Sequence, residues 1–308
     1  MTDFYCQKLM KYLKKTLSKL LLIFFFIYSQ ALYARQYSHS EALDFCAANN
    51  LSMPAPQSDG RVQTLNEFGA MSPTFDTATM QFIENSAGKK VLEIGAGYGK
   101  VMAEVLSKNP ATEYHINDLD ERHLFIAAKN LATKLATHNL SDNKISPQIQ
   151  YLPGDISNKN FVINDKYDAI LIARVMHFFD PQQMDLVIAK IAQALKPNGR
   201  VYVVAITPYV KRYQAFIPVY EQRLATNEAY PGYVESLRDW LNVEVTSTSQ
   251  QTTISKGAFM FLDDRILIRA FSKAGLKIIC SATEDLGYPS ESWSLDGREN
   301  VTLIAEKA

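Results

Sequence analysis

Short apolar runs alternate with amphipathic segments along most of this chain. The first clear run, 91–94, is typical of a strand covered on both faces. A segment with helical periodicity follows at about 100–108, and a second strand is predicted over 113–117. The alternation continues toward the C-terminus. It predicts an α/β fold, in which a doubly wound parallel sheet carries helices on both faces.

The remaining elements follow from the same periodicities and from their flanking turn and cap residues. Further helices are predicted at 40–49, 72–85, 120–138, 181–195 and 262–274, and further strands at 149–152, 167–173, 200–206, 276–281 and 300–306. With 91–94 and 113–117, this gives seven strands. Residues 50–60, rich in Pro, Ser and Gly, are predicted to be a linker, and 196–199 a turn.

A glycine-rich turn joins the first strand to its helix. Glu93 lies near the end of the strand, and Gly95, Gly97 and Gly99 follow at alternate positions. Glycines allow a sharp turn that exposes backbone N–H groups, toward which the positive end of the next helix dipole also points. Lys100 stands where the dinucleotide fingerprint requires its last glycine. A charge in a buried strand is costly without a partner, so Glu93 indicates a binding site.

This glutamate followed by G-x-G-x-G resembles the first motif of the class I S-adenosylmethionine (SAM)-dependent methyltransferases. Asp118 ends the second strand about 20 residues after the turn, where nucleotide-binding sheets place the carboxylate that accepts ribose hydroxyls. Asp120 is the alternative, although it is better placed to cap the next helix. Asp155 follows the third strand and resembles the acid that accepts a hydrogen bond from the adenine amino group. The structural alternative for Asp155 is a turn residue or helix cap.

The resemblance covers roughly 73–206 and 259–308 and implies a mostly parallel sheet with an antiparallel final strand. It implies SAM as the cofactor and in-line methyl transfer to an acceptor, a small molecule in preference to a protein. The cofactor-binding residues that it implies are Glu93, Gly95, Ala96, Gly97, Gly99, Asp118, Leu119, Asp155, Ile156 and Arg174. The alternative function is a catalytically silent member of the fold that binds SAM or another ligand.

Residues after the fourth strand give the catalytic candidate. The sequence there lacks the Asn/Asp-Pro-Pro-Tyr/Phe signature of enzymes that methylate exocyclic or amide nitrogens. His177 follows the strand whose end faces the methyl group, so it is the candidate general base; its alternative is a structural role. No acidic metal triad and no zinc-type Cys/His spacing is apparent, so no metal is expected.

Residues 207–258 form a connection longer than usual and are predicted to be an inserted substrate lid. Four aromatic residues from Tyr209 to Tyr220 recur at helical spacing, but Pro218 is expected to break or kink that helix. Aromatic residues recur through the segment at Tyr209, Tyr213, Phe216, Tyr220, Tyr230, Tyr233 and Trp240. They are either core residues or the wall of a pocket for a small apolar or aromatic acceptor. The resemblance also implies that the helix before the first strand covers the cofactor, which makes Phe68 and Phe75 candidates to line the pocket. The alternative for both is packing on the sheet.

The N-terminal segment differs in character from the rest. Five lysines precede an apolar run at 20–28 that is too short to span a bilayer comfortably, and small residues follow. This pattern predicts a signal peptide over 1–31, with cleavage before Leu32 or Arg35 and an alternative start at Met10. An uncleaved anchor and a cytosolic protein are the alternatives. The helical and linker segment 32–72 then precedes a methyltransferase domain over 73–308.

The net charge limits the classes of partner that are expected, and the cysteine count limits the possible disulfides. The whole chain has 32 basic and 32 acidic residues, and without 1–31 it has 27 and 31, a formal charge of −4. A mildly acidic domain is a poor partner for a phosphate backbone, so nucleic acid is not the expected substrate. In an exported protein Cys46 and Cys280 could pair; otherwise they are two separate thiols.

Overall fold

The computed structural model describes residues 35–138, 148–246, 251, 254, 257–286 and 291–308. The predicted signal peptide, 1–31, lies outside the described residues. Within the described part, no helix is both long and apolar enough to cross a membrane.

Helices and strands alternate as the sequence predicts. The helices are α1 (His39–Ala48), α2 (Thr77–Asn85), α3 (Lys100–Lys108), α4 (Glu121–Thr137), α5 (Pro181–Ala194), α6 (Ile217–Ala225) and α7 (Asp264–Lys273). The strands are β1 (Val62–Gln63), β2 (Ala70–Met71), β3 (Lys90–Ile94), β4 (Glu113–Asp118), β5 (Ile149–Pro153), β6 (Tyr167–Ala173), β7 (Leu195–Ile206), β8 (Tyr233–Val234), β9 (Phe259–Met260), β10 (Leu276–Glu284) and β11 (Asn300–Lys307).

The main sheet has seven strands in the order β10-β11-β7-β6-β3-β4-β5. Strand β11 runs antiparallel to both of its neighbours, and the other adjacent strands run parallel. The mostly parallel, seven-stranded α/β fold is therefore confirmed. The chain order reverses at β3, which lies between β4 and β6, and in open α/β sheets ligands bind beyond the strand ends at such a switch point.

Both faces of the sheet are buried. Along β6, Ile170 and Ile172 join the core formed with α5, α7 and the insertion, whereas Ala169 and Leu171 join the core formed with α1 to α4. Alternation of side chains along a strand sends successive residues to opposite faces, and here each face is apolar. This is why β6 reads as one continuous hydrophobic run.

One local prediction is wrong, for a backbone reason. Residues 196–199 do not form a separate turn: they are an irregularity inside β7, where the pairing register shifts between Leu195 and Arg200 and Asn198 adopts a φ of 60°. No single α-helix runs through the aromatic positions of the next segment: the 3₁₀ segment Lys211–Phe216 precedes α6, and Pro218 stands in the first turn of α6. Proline is tolerated in a first turn because the N–H that it lacks would have no intrahelical partner there.

The segment before the first core strand packs on the edge of the sheet. Tyr37 forms a bridge with Tyr151 of β5, and α1 packs on α4. Ser38 caps α1 and, with Glu41, forms a capping box. Cys46 is buried and Cys280 is exposed, and both are free thiols, so the possible disulfide is not formed.

Candidate active site

A cavity of about 1020 Å³ opens at the carboxyl ends of the parallel strands. Its lining includes residues at or just after the end of each of β3, β4, β5, β6 and β7: Ile94, Asp118, Gly154, Ala173 and Ile206. We call the part formed by Glu93, Gly95, Gly97, Asp118 and Asp155 the strand-end wall. The part formed by Arg212, Tyr213, Leu237, Ile254, Phe259 and Trp293 is the insertion wall.

Two of the three glycines in the turn lie at the cavity, where a side chain would not fit. Gly95 and Gly97 line it with φ of 69° and 54°, a region that residues with a Cβ adopt rarely. A Cβ on Gly95 would lie 2.1 Å from Val175 Cγ2, and one on Gly97 would lie 2.9 Å from Met71 Sδ. Substitution at either position would thus combine backbone strain with a collision.

Gly99 lies apart from the other two glycines of the turn. It does not line the cavity; it precedes α3 with a φ of 72°, and a Cβ there would lie 2.6 Å from Ala127 Cβ of α4. Its small size lets α3 start close to α4. The structure therefore places Gly99 among packing residues, whereas Ala96 lines the cavity.

Glu93 is buried at the base of the glycine turn, where Tyr114 Oη donates a hydrogen bond of 2.7 Å to its Oε2. Burial raises the pKa of Glu93 to about 8; the nearby charge of Asp118 adds to this effect, and the Tyr114 hydrogen bond opposes it. Sequence reasoning missed Tyr114. The available signal was its position on the next strand, diagonal to Glu93, since Glu93 pairs with Ile116.

Asp118 fixes the turn as well as facing the cavity. Its Oδ2 accepts from Gly97 N–H at 2.8 Å, and its Oδ1 accepts from Asp120 N–H at 3.0 Å. The same Oδ1 lies 2.9 Å from His123 Nδ1. Because Leu65 N–H donates to His123 Nε2 at 3.1 Å, Nδ1 must carry the imidazole proton and donate it to Asp118. His123, which the sequence reasoning missed, thus links the carboxylate to the segment that precedes β2.

Asp120 and Asp155 have distinct positions. Asp120 caps α4 by accepting from Arg122 N–H at 3.0 Å and does not line the cavity. Asp155 lines the cavity, and its Oδ1 accepts from the backbone N–H and the hydroxyl of Ser157 at 2.8 and 2.6 Å. Asp155 is therefore both a turn residue and a cavity residue. Leu119, half exposed, and Ile156, buried, line the cavity beside the two acids.

Arg174 follows β6 in the left-handed region, with a φ of 59° that is uncommon for a residue with a side chain. Its Nη1 donates to Asp76 Oδ2 at 2.8 Å, and Asp76 Oδ1 accepts from Thr79 N–H at 2.7 Å as the cap of α2. The ion pair is partly buried, with the Asp76 side chain inaccessible to solvent. Arg174 therefore ties the end of β6 to α2 at the edge of the cavity.

His177 lies in a ring of aromatic side chains. It stacks on Phe259 with ring centroids 4.7 Å apart and contacts Phe178 at 4.2 Å. Burial, with a smaller contribution from the charge of Arg174, lowers the pKa of His177 to about 3. Its Nδ1 has no hydrogen-bond partner among the described residues. The imidazole is thus neutral, poorly suited to hold a proton as a general base, and able to form a hydrogen bond with a bound molecule.

A hairpin, rather than a helix, covers the glycine turn. Strands β1 and β2 form it, and Met71 at its end lies over Gly97. Tyr98 Oη donates to Gln63 O at 3.0 Å and holds the hairpin down. Phe68 in the hairpin loop lines the cavity but is 55% exposed, whereas Phe75 lies under the ammonium of Lys100 at 4.3 Å and also contributes to the lining. The predicted cover by the leading helix is therefore supplied mainly by the segment before it.

The aromatic residues of the insertion serve mostly as core. Tyr209, Phe216 and Tyr220 are buried away from the cavity, and Tyr213 is the member of the series that lines it. From Tyr213 a chain of ring contacts runs through Phe261 and Phe259 to His177, with centroid distances of 5.3, 4.9 and 4.7 Å. The insertion wall is thus continuous with the end of β6.

Comparison with known proteins identifies the domain. Residues 92–201 match the family model of a methyltransferase domain. A search of curated protein sequences finds no match. Among solved structures, a SAM-dependent methyltransferase from Methanosarcina mazei is similar over 77% of this chain and 98% of its own, with 15% identity and a TM-score of 0.50.

Two further structures are similar at lower TM-scores. The glycopeptide N-methyltransferase MtfA, in complex with SAM, matches over 86% of this chain and 96% of its own, with 14% identity and a TM-score of 0.48. An O-methyltransferase family protein from Burkholderia thailandensis matches over 76% of this chain with 15% identity and a TM-score of 0.45, and this chain spans 55% of its length. The resemblance inferred from the glycine turn and the acids is thereby confirmed for the fold and the domain.

Proposed function

We propose that this chain, a class I methyltransferase by its fold and by the domain at residues 92–201, transfers a methyl group from SAM to a small-molecule acceptor by in-line displacement. The observation that carries the proposal is Glu93, a buried carboxyl group at the cavity, beside a glycine turn whose N–H groups are already bonded within the protein. The pKa of Glu93, raised to about 8, indicates a site that lacks a compensating cation.

The strand-end wall fits SAM in charge and in hydrogen-bond acceptors. SAM carries a sulfonium and an ammonium group against one carboxylate, and the wall offers Glu93, Asp118 and Asp155. Asp118 can accept a ribose hydroxyl at the site that it already braces through Gly97 and His123. No donor among the described residues reaches Oδ2 of Asp155, so that oxygen can accept from the adenine amino group.

The residues of this chain contribute mainly by positioning. When bound, SAM supplies a methyl carbon on a positively charged sulfur, already activated for attack. The apolar side chains of the insertion wall exclude water and hold an acceptor of apolar or aromatic character. His177 contributes a hydrogen bond at Nδ1 rather than proton removal, because the pKa of His177 is near 3.

The test separates binding from turnover. Calorimetry should show binding of both SAM and its demethylated product, and labelled SAM should transfer methyl to a member of a panel of small aromatic and heterocyclic acceptors. Absence of SAM binding would exclude the proposal. Binding with no transfer to any acceptor, including cell extracts, would favour a silent SAM-binding protein, a role with which the low basicity of His177 is compatible.

We further propose that 1–31 acts as a signal peptide, so that the enzyme is exported. Because SAM is made in the cytosol, an exported enzyme would act in the cytosol of another cell. Mass spectrometry of the native protein recovered outside the producing cytosol should give an N-terminus at Leu32 or Arg35. An intact Met1 or Met10 on cytosolic protein would replace this reading with that of a cytosolic methyltransferase.

A further inference from the structure

Arg212 is a buried cation on the insertion wall. Its side chain lines the cavity, and the residue is 6% exposed. It belongs to the 3₁₀ segment Lys211–Phe216, and both of its backbone polar groups are bonded: its N–H donates to Ser292 O at 2.9 Å, and its carbonyl accepts from Asn242 N–H at 2.8 Å. The backbone that carries the guanidinium is therefore held on two sides.

No carboxylate among the described residues lies within ion-pairing distance of Arg212, and its Nε has no hydrogen-bond partner there. The nearby acid, Asp59, is engaged by Arg61, whose Nε and Nη2 lie 2.8 and 2.7 Å from Asp59 Oδ2. The undescribed positions between 247 and 256, and those at 287–290, contain no acidic residue. Among the described residues, the charge of Arg212 thus has no paired anion, and Asp59 attracts it only from beyond ion-pairing distance.

This arrangement is costly unless a ligand completes it. A buried charge with an unsatisfied donor loses its hydration without full compensation, and burial accordingly lowers the pKa of Arg212. Arginine nevertheless stays charged, because its ordinary pKa is far above neutrality. The hydrogen-bond donor without a partner is Nε. Together with one terminal nitrogen, Nε presents the two parallel N–H groups that bind a carboxylate side-on.

The side chains around Arg212 restrict the class of anion that can bind there. Its guanidinium lies 4.9 Å from the ring centroid of Trp293 and 5.4 Å from that of Tyr213, and Leu237 and Ile254 complete an apolar lining. These side chains suit an aromatic ring. One uncompensated cation balances one negative charge, since Arg61 is already paired with Asp59. A dianion such as phosphate would leave excess charge in a buried site.

We infer that Arg212 anchors the carboxylate of an aromatic monocarboxylic acid, with the ring held by Trp293 and Tyr213. This inference rests on the proposed function for the identification of that acid as the methyl acceptor. The class of substrate is then an aromatic acid, methylated at a site other than the carboxylate, because Arg212 holds the carboxylate oxygens.

Benzoate and benzamide are the probes, since they differ only in charge and hydrogen-bonding pattern. Calorimetry is performed on the full chain saturated with the demethylated product of SAM. Benzoate should bind at least about tenfold more tightly than benzamide, because a charge-assisted pair adds more than about 1.4 kcal/mol. Arg212→Gln should abolish this preference while leaving affinity for the demethylated cofactor unchanged. Arg269→Gln, at an exposed arginine outside the cavity, is the matched control and should keep the preference.

Equal binding of benzoate and benzamide by the wild type would overturn the inference, as would an Arg212→Gln variant with full benzoate preference. If that variant does not fold, the wild-type comparison decides alone. Inorganic phosphate should fail to displace benzoate at equal concentration; displacement would indicate a general anion site and overturn the carboxylate assignment. Failure of the wild type to bind SAM or its product would instead refute the proposed function, so the two failures are distinguishable.

Discussion

The two walls of the cavity differ in how their polar groups are satisfied. On the strand-end wall, Asp118 already accepts hydrogen bonds from the protein at both oxygens, and Glu93 accepts one from Tyr114. On the insertion wall and beside it, Arg212 Nε and His177 Nδ1 have no partner among the described residues. One wall is braced before any ligand arrives, and the other has buried donors or acceptors that a ligand must satisfy.

This difference suggests that the two walls bind different ligands. Bracing reduces the cost of ordering a site when its ligand binds, which suits a cofactor that is the same in every turnover. Unsatisfied buried groups discriminate strongly between ligands, because a molecule that lacks the matching group leaves the penalty in place. The strand-end wall should therefore control affinity for SAM, and the insertion wall should control the choice of acceptor.

The largest expected effect follows from filling the glycine turn. Gly97→Val should lower SAM affinity at least about 100-fold, because its φ of 54° disfavours a Cβ and Met71 Sδ blocks that direction. Gly88→Val is the matched control: Gly88 has a φ of 66°, with nothing within 4 Å of its added Cβ. The control shares the backbone strain and should bind SAM normally, as measured by calorimetry. A folded Gly97→Val protein with normal affinity would remove the turn from the site.

A smaller loss is expected from Asp118→Ala. Removing a charged acceptor from two ribose hydroxyls should weaken SAM binding by about 1–3 kcal/mol, or about 10- to 100-fold. Asp120→Ala, two positions away, removes the cap of α4 and the ion pair with Arg122. It should lower the free energy of unfolding by about 1 kcal/mol without changing SAM affinity. If calorimetry gives both variants the same SAM affinity, Asp118 does not bind the cofactor.

The same division explains what could be predicted from the sequence. Strand ends of a parallel sheet meet at one edge, so the alternation of elements together with Glu93, Asp118 and Asp155 sufficed to assemble the strand-end wall. Gly99 differs from the other two glycines, because it packs against Ala127 of α4, a contact that only the packed chain shows. Tyr114 and His123 were missed because a partner across strands or elements has no local signature.

The insertion wall could not be predicted in this way. Its residues come from two 3₁₀ segments, from β9, and from Ile254 and Trp293. Trp293 is about 80 residues from Arg212 in sequence, and no periodicity brings these residues together. The aromatic series suggested a pocket, yet most of it is core. Nothing in the sequence marks Arg212 as different from the other basic residues; its isolation from acids is a property of the packed chain.

The titration of Glu93 tests the role of the strand-end wall through two quantities, the free energy of unfolding and the affinity for SAM. The folded-state pKa of Glu93, about 8, lies above the ordinary value of 4.5, so the folded protein binds more protons between those limits. The free energy of unfolding of the ligand-free protein should therefore fall as pH rises through this window, by up to about 1.4 kcal/mol per pH unit. SAM affinity should rise over pH 6–8, by up to about tenfold per unit, because a cation favours the carboxylate.

Glu93→Gln is the matched variant, since its amide oxygen can still accept from Tyr114. Both slopes should flatten in this variant, as measured by denaturant unfolding and by calorimetry at each pH. Identical slopes in the wild type and in Glu93→Gln would show that another group titrates.

The smallest effect is expected at His177, which lies between the two walls. With a pKa near 3, the imidazole is neutral throughout the working range, so it can have no ionisation visible in turnover above pH 5. His177→Gln keeps a hydrogen-bonding group of similar reach and should lower turnover by less than about tenfold, the scale of one neutral hydrogen bond. The pH profile should keep the same shape in both proteins, and SAM affinity should not change. A profile in which the wild type loses activity below about pH 6.5 and the variant does not would restore His177 as a general base. In that case a residue between the two walls would supply proton transfer, while the insertion wall would still select the acceptor.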